Sequence, residues 1–140
     1  MKNNKKFVQV WADVAGYEGL YKVSNDGVVM SLDRQIVERN TNRKINRKGK
    51  ILKQCITDGY YVVGLGLNGV INTHRVHRLV ALAFVAGRSE KNCVTNHKNG
   101  KKLDNRAENL EWCTVSHNLK HAYDTGLKKG AYYPRKVLQS

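Results

Sequence analysis

The stretch from Thr95 to His121 constrains the fold most, because turn and cap residues divide it into short segments of definite type. Asn99-Gly100 is a turn signal, since glycine adopts positive φ without a Cβ penalty, so a strand should end near His97. Leu110 to Cys113 alternates apolar and polar residues, which is typical of a second short strand. The segment therefore predicts two strands joined by a polar loop.

A helix should follow these strands. Thr114 offers a hydroxyl as the N-cap, and Gly126 is a suitable residue just beyond the C-terminus. The residues between them place apolar side chains at helical spacing, so the helix is predicted over 115–125.

This order of elements brings together polar side chains that suit hydrolysis. Asn96 and His97 lie where a strand is turning, and Asn118 and His121 are three residues apart, on one face of the predicted helix. A neutral imidazole can take a proton from water, while amide oxygens and a second imidazole can hold a divalent cation. Such a cluster would suit metal-assisted phosphodiester hydrolysis.

Two series of residues carry a family resemblance. The first comprises Asn96-His97, Gly100, Asn105, Asn109-Leu110-Glu111-Trp112, Thr114, Asn118 and His121-Ala122, preceded by His77-Arg78-Leu79-Val80-Ala81 and Phe84. In residue types and spacing it closely resembles the HNH endonuclease motif of phage and intron-borne homing nucleases. The second comprises Trp11, Gly16-Tyr17-Glu18-Gly19, Tyr21-Lys22-Val23-Ser24-Asn25, Gly27 and Ser31-Leu32. It resembles the short N-terminal module that commonly accompanies such nucleases.

The resemblance implies an α+β fold with a small antiparallel sheet and a ββα-metal (His-Me finger) nuclease unit. It implies a DNA endonuclease that depends on a divalent cation, Mg²⁺ or Mn²⁺ or another, and hydrolyses phosphodiester bonds in double-stranded DNA. His97 would be the general base, and an imidazole suits that role at neutral pH. The other implied roles are Asn96 and Asn118 as metal ligands, His121 as a further metal or phosphate ligand, and Asn109 as the residue that holds the loop on the strands.

The ligand at position 96 has a chemical consequence. Related nucleases often carry aspartate there, whereas Asn96 is neutral and should hold Mg²⁺ more loosely. If only neutral groups bind the cation, the substrate phosphates must provide the negative charge. Metal should then bind well only when DNA is present.

Charge predicts a polyanionic partner. The chain has 25 Lys+Arg against 11 Asp+Glu and a formal net charge of +14, which favours nucleic acid through counterion release. Charge alone leaves open a basic protein of another kind, such as a ribosomal component, and a non-catalytic DNA-binding protein on the same fold remains the main alternative. The expected DNA contacts are Arg43, Lys44, Arg47, Lys48, Arg75, His77, Arg78, Lys98, Lys101 and Lys102, with a structural hydrogen-bonding role equally open for His77.

The sequence divides into five parts. They are an N-terminal hairpin module (1–33), a basic loop or arm (34–53), antiparallel strands and a helix (54–92), the HNH motif (93–126) and a basic tail (127–140). The hairpin turns are predicted at Asn25-Asp26-Gly27 and Asn68-Gly69, and a helix from Val76 should end near Gly87. Residues 127–140 after the HNH motif are too few for a further DNA-binding repeat or helix-turn-helix, so none is expected there.

Cysteine content and hydropathy indicate the compartment. The three cysteines show no Cys-x-x-Cys pair, which argues against structural zinc and against a secreted disulfide scaffold. No apolar run reaches membrane-spanning length. We therefore expect a soluble, cytoplasmic protein with no membrane partner, as a monomer or weak dimer. The family resemblance implies that the gene is encoded by a phage or intron in a bacterial host.

Overall fold

The computed structural model describes residues 6–129, so residues 130–140 of the predicted basic tail lie outside the described residues. The fold is α+β, as expected. Its strands are β1 (Trp11–Asp13), β2 (Tyr21–Ser24), β3 (Val29–Ser31), β4 (Arg34–Val37), β5 (Lys44–Arg47), β6 (Cys55–Thr57), β7 (Tyr60–Leu67), β8 (Val70–Arg75), β9 (Val94–His97) and β10 (Leu110–Cys113). The helices are α1 (Val76–Phe84) and α2 (Val115–Asp124), and a 3₁₀ turn covers Ala107–Asn109.

These strands form small antiparallel sheets. β1, β2 and β3 make one sheet in chain order, and β6, β7 and β8 make another. β4 pairs with β5, and β9 pairs with β10. Within each sheet, strands that are consecutive in the chain pair with each other. The segments β3–β4, β5–β6 and β8–β9 pass from one sheet to the next, and the last of them contains α1.

The stretch predicted to be a basic loop or arm is instead a β-hairpin. β4 and β5 pair from Arg34 opposite Arg47 to Val37 opposite Lys44, and Asn42 in the turn adopts a φ of 55°. The prediction of a loop was wrong because the many charged residues obscured the strand pattern. One apolar cross-strand pair, Ile36 with Ile45, was overlooked. We call 34–47 the basic hairpin.

Helix α1 lies at the centre of the core. Val76, Val80 and Ala81 have no exposed surface, and they pack with Val23 of β2 and Leu110 of β10. One hydrophobic core therefore includes both the N-terminal strands and the C-terminal strand pair.

The end of α1 differs from the prediction. The helix ends at Phe84, before the predicted end near Gly87, and Val85 adopts an extended conformation with φ −106° and ψ 120°. The Val85 carbonyl accepts a 3.0 Å hydrogen bond from the indole Nε1 of Trp112. This bond holds the chain after α1 against β10. No helix within residues 6–129 is long and apolar enough to cross a membrane.

Candidate active site

Strands β9 and β10 and helix α2 form the predicted strand–loop–strand–helix unit. The strand pair aligns His97 with Leu110 and Asn96 with Glu111. Thr114 caps α2 as predicted, since its side chain accepts a 3.1 Å hydrogen bond from the backbone N–H of His117. The turn and cap chemistry of this segment is local, which explains why its elements were predictable.

Four of the candidate residues border one pocket of about 170 Å³. Asn96 and His97 contribute from β9, and Asn118 and His121 contribute from α2. The remaining lining residues are Tyr60, Thr95, Gly100, Lys102, Ala122, Leu127 and Lys128. The helix therefore faces the strand pair as the spacing predicted.

The His97 imidazole is held in one orientation. It is 6% exposed, and its Nε2 lies 2.9 Å from Oδ1 of Asn105. Because an amide oxygen only accepts, this contact assigns the ring proton to Nε2 and leaves Nδ1 as the basic nitrogen. Burial lowers the pKa of His97, and the hydrogen bond to Asn105 and the charge of Asp104 partly oppose that effect. The ring is therefore neutral at neutral pH, the state that a general base requires.

A second imidazole lies behind the first. The His77 ring centroid is 4.9 Å from that of His97 and 5.0 Å from that of Tyr60. His77 is 7% exposed, and burial lowers its pKa to about 3. The predicted DNA contact at His77 is corrected here, because a buried ring packed between two others does not face a ligand.

Two of the predicted DNA-binding cations lie over an aromatic ring at the edge of the pocket. The Arg75 guanidinium is 4.5 Å from the Tyr60 ring centroid, and the Lys102 Nζ is 4.8 Å from it. The Tyr60 ring holds both charges near His97 by cation–π contact.

The other predicted cations lie outside the pocket. Arg78 lies over the Trp112 ring at 5.9 Å, while Lys98 and Lys101 are exposed in the loop after β9. The four DNA-binding cations predicted on or beside the basic hairpin are also exposed: Arg43, Lys44, Arg47 and Lys48.

Asn109 holds the loop between β9 and β10. Its Nδ2 donates to the Asn99 side-chain oxygen at 3.0 Å and to the Asp104 carbonyl at 2.9 Å, and its Oδ1 accepts from the Asn99 N–H at 3.1 Å. Asn109 does not line the pocket. Its contacts are those expected of a residue that orients the loop.

His121 is oriented through the backbone. Its Nε2 donates a 3.0 Å hydrogen bond to the Lys98 carbonyl, which leaves Nδ1 as the nitrogen with a free lone pair.

The amide side chains suit a hard cation. Asn96 donates from Nδ2 to Glu111 Oε1 at 2.8 Å, which leaves its Oδ1 as the polar atom available to the pocket, and Asn118 borders the same space. Oxygen donors are the ligands that Mg²⁺ prefers. Within residues 6–129 there is no group of three or more His, Cys, Asp or Glu residues placed to hold a metal ion. The residues present therefore fit a hard cation held loosely by neutral oxygen atoms.

Two segments of the chain match known protein families. Residues 74–120 match the HNH endonuclease family, and residues 10–66 match the NUMOD4 motif. The chain carries a NUMOD4 motif followed by an HNH endonuclease domain. The family resemblance stated from sequence is confirmed.

Individual relatives agree with this assignment. The chain is 39% identical over 117 residues to DNA endonuclease I-HmuI of Bacillus phage SP01, covering 83% of this chain and 59% of that protein. It is 38% identical over 122 residues to the uncharacterized HNH endonuclease L245 of Acanthamoeba polyphaga mimivirus, covering 87% of this chain and 32% of that protein. The chain thus spans about a third to three fifths of these relatives.

A solved structure supports the fold. The structure that describes DNA binding and cleavage by the HNH homing endonuclease I-HmuI matches with a TM-score of 0.69 and 37% identity, covering 86% of this chain and 62% of that chain. The α+β fold with an HNH nuclease unit is confirmed.

Three residues at or beside the site were given no functional role from sequence. Asn105 and Tyr60 contact His97 through tertiary packing, which no local pattern reveals. The position of Glu111 could have been predicted from sequence. Pairing a strand that ends at His97 with one that begins at Leu110 places Glu111 opposite Asn96.

Proposed function

We propose that this protein is a divalent-metal-dependent endonuclease that hydrolyses phosphodiester bonds in double-stranded DNA. The observation that carries the proposal is the shared pocket of the HNH domain. There the oriented, neutral imidazole of His97 lies beside the amide side chains of Asn96 and Asn118.

In this proposal His97 acts as the general base. Its Nδ1 takes a proton from the water that attacks phosphorus, while Asn105 keeps Nε2–H in place. Asn96 and Asn118 would hold the cation, which when bound supplies Lewis-acid stabilisation of the scissile phosphate and the leaving 3′ oxygen. His121 lines the same pocket and keeps the lone pair of its Nδ1 free, so it would bind the cation or a phosphate oxygen.

Positive charge would position the DNA. Lys102 borders the pocket, and Arg75 shares the Tyr60 ring with it, so both can stabilise charge that develops on phosphate. The exposed cations of the basic hairpin extend the positive surface away from the site. With a net charge of +14, binding should weaken steeply with salt.

The proposal is tested by cleavage of supercoiled plasmid with Mg²⁺ or Mn²⁺, with and without EDTA. We expect metal-dependent conversion to nicked or linear DNA that EDTA abolishes. Without its general base, His97→Ala should cleave about 10² to 10⁴ times more slowly.

The control is a gel-shift assay of both proteins in EDTA, where His97→Ala should bind DNA as the wild type does. If the wild type binds DNA but leaves the plasmid intact with every divalent metal tried, the proposal fails. The protein would then be a non-catalytic DNA-binding member of the same fold.

A further inference from the structure

Glu111 lies directly opposite Asn96 in the strand pair. The Asn96 Nδ2 donates to Glu111 Oε1 at 2.8 Å, and Asn96 is 5% exposed whereas the Glu111 side chain is 35% exposed. Directly opposite residues of an antiparallel pair project from the same face, so a partly exposed carboxylate meets a buried amide there.

This contact determines which way the amide faces. A carboxylate only accepts hydrogen bonds, so the NH₂ group of Asn96 must point toward Glu111. The reverse rotamer would place the amide oxygen against the carboxylate oxygen. Among residues 6–129, no group donates a hydrogen bond to the Asn96 Oδ1, and Asn96 borders the pocket.

The contact also brings negative charge to a neutral ligand set. Asn96 and Asn118 carry no charge, yet the Asn96 amide donates to an ionised group. A charge-assisted hydrogen bond polarises the donor, which shifts electron density toward the amide oxygen. Glu111 can thus strengthen the Asn96 oxygen as a cation ligand without touching the cation.

The other contact of Glu111 is with a residue outside the pocket. His117 Nε2 lies 3.4 Å from the same Oε1, and the His117 side chain is 56% exposed. His117 does not line the pocket that Asn96 borders. An effect of Glu111 on the pocket therefore passes through Asn96.

We propose that Glu111 is a positioning residue that orients and polarises Asn96 toward the divalent cation. The inference rests on the proposed metal-dependent function. It differs from that function in giving a role to a carboxylate outside the pocket.

The first test needs neither metal nor DNA. In the NMR spectrum of the full chain, the side-chain NH₂ resonances of Asn96 should move clearly in Glu111→Ala and less in Glu111→Gln, because glutamine restores an acceptor without the charge. His117→Ala should leave them near their wild-type positions. Unchanged Asn96 resonances in Glu111→Ala would overturn the inference.

The second test measures Mn²⁺ binding by electron paramagnetic resonance. The parent is the full chain with His97→Ala, bound to a DNA duplex, because this variant should leave the DNA intact. The Mn²⁺ bound by the duplex alone is subtracted. Glu111→Ala should weaken Mn²⁺ binding about tenfold, as loss of a partner to a metal ligand does. The Mn²⁺ affinity of Glu111→Gln should lie between those of Glu111→Ala and the parent, and the affinity of His117→Ala should match that of the parent.

A double-mutant cycle separates positioning from direct ligation. If Glu111 acts only through Asn96, Glu111→Ala should have no further effect on Mn²⁺ binding in an Asn96→Ala background. A further loss of Mn²⁺ affinity there would show that Glu111 binds the cation itself. It would overturn this inference and leave the proposed metal-dependent function standing. If the parent complex binds no Mn²⁺, the proposed metal-dependent function falls, and the inference with it.

Discussion

His77 retains a polar nitrogen where an apolar ring would fill the same space. Its Nδ1 is buried without a hydrogen-bond partner among the described residues, a state that costs about 1–3 kcal/mol. Burial lowers its pKa from 6.5 to about 3, and His97, Arg75 and Arg78 act in the same direction. The ring therefore stays neutral beside His97 across the range in which most enzymes work.

The stability of the protein should decrease as pH falls below about 6.5. The unfolded chain binds a proton at His77 near pH 6.5, whereas the folded chain does so only near 3. The unfolded state thus binds more protons between these values, and the free energy of unfolding should fall by up to about 1.4 kcal/mol per pH unit. Urea denaturation between about pH 7 and about pH 5 measures this slope.

His77→Phe should reduce the slope, since it removes the titrating group and keeps an aromatic ring. Part of the slope should remain, because burial also lowers the pKa of His97. An unreduced slope in His77→Phe would contradict the burial argument.

Asn105→Ala should slow DNA cleavage at least about fivefold, the equivalent of about 1 kcal/mol for one lost hydrogen bond. Without the acceptor at Oδ1, nothing fixes the ring proton on Nε2 of His97. Plasmid cleavage under single-turnover conditions measures the rate, and gel shift in EDTA should show unchanged DNA binding.

Asn105→Asp is the matched variant, because it keeps an acceptor and adds a negative charge. The charge should raise the pKa of His97, so the acid limb of the pH–rate profile should move to higher pH. A wild-type profile and rate in both variants would remove Asn105 from the mechanism.

At the scale of elements, the basic hairpin places cations on a surface separate from the pocket. Arg43, Lys44, Arg47 and Lys48 are exposed on or beside β5, and none lines the pocket of the HNH domain. Contacts from these side chains to phosphate would add affinity without adding sequence information.

Replacing Arg43, Lys44, Arg47 and Lys48 by glutamine should weaken DNA binding for all sequences. The slope of log K against log salt should decrease by about one unit for each lost phosphate contact. Fluorescence anisotropy with a labelled duplex at several salt concentrations measures both quantities.

The control exchanges arginine and lysine at the same four positions, which keeps every charge. That variant should retain the wild-type slope. If the glutamine variant also retains it, the hairpin does not contact phosphate.

Sequence predicted the elements whose ends are set by local chemistry. Strand β9, strand β10 and the Thr114 cap of α2 appeared where turn and cap residues placed them. The basic hairpin was missed, because its pairing joins residues 7 to 13 positions apart and its side chains are mostly exposed and polar. The contacts of His97 with Asn105, and of His77 with Tyr60, were missed because they join different elements.

At the scale of the whole molecule, the NUMOD4 region packs directly on the loop that orients His97. The Ala107 N–H donates to the Asn25 carbonyl at 2.8 Å. Gly27 has a φ of +90°, and a Cβ added there would lie 2.9 Å from the Cβ of Asn105. The turn between β2 and β3 therefore contacts the residue that holds the imidazole.

Gly27→Ala should lower both stability and the cleavage rate. Positive φ costs an L-residue about 1–2 kcal/mol, and the contact with Asn105 requires the loop to shift. Gly16→Ala is the matched control, since Gly16 has a φ of +83° with nothing within 4 Å of the added Cβ. It should lose stability without losing activity per folded molecule, as measured by denaturation and plasmid cleavage.

Equal cleavage rates for the two alanine variants would show that the turn does not influence His97.

The contact between the β2–β3 turn and the Asn105 loop limits how such proteins can exchange parts. A gene fusion that joined a foreign N-terminal region to residues 74–129 would need to bring a glycine at the turn and a carbonyl group for Ala107. Without them, the recombinant chain would carry every HNH side chain and still misplace its imidazole. Lineages should therefore inherit the two regions together, with insertions tolerated best at the exposed tip of the basic hairpin.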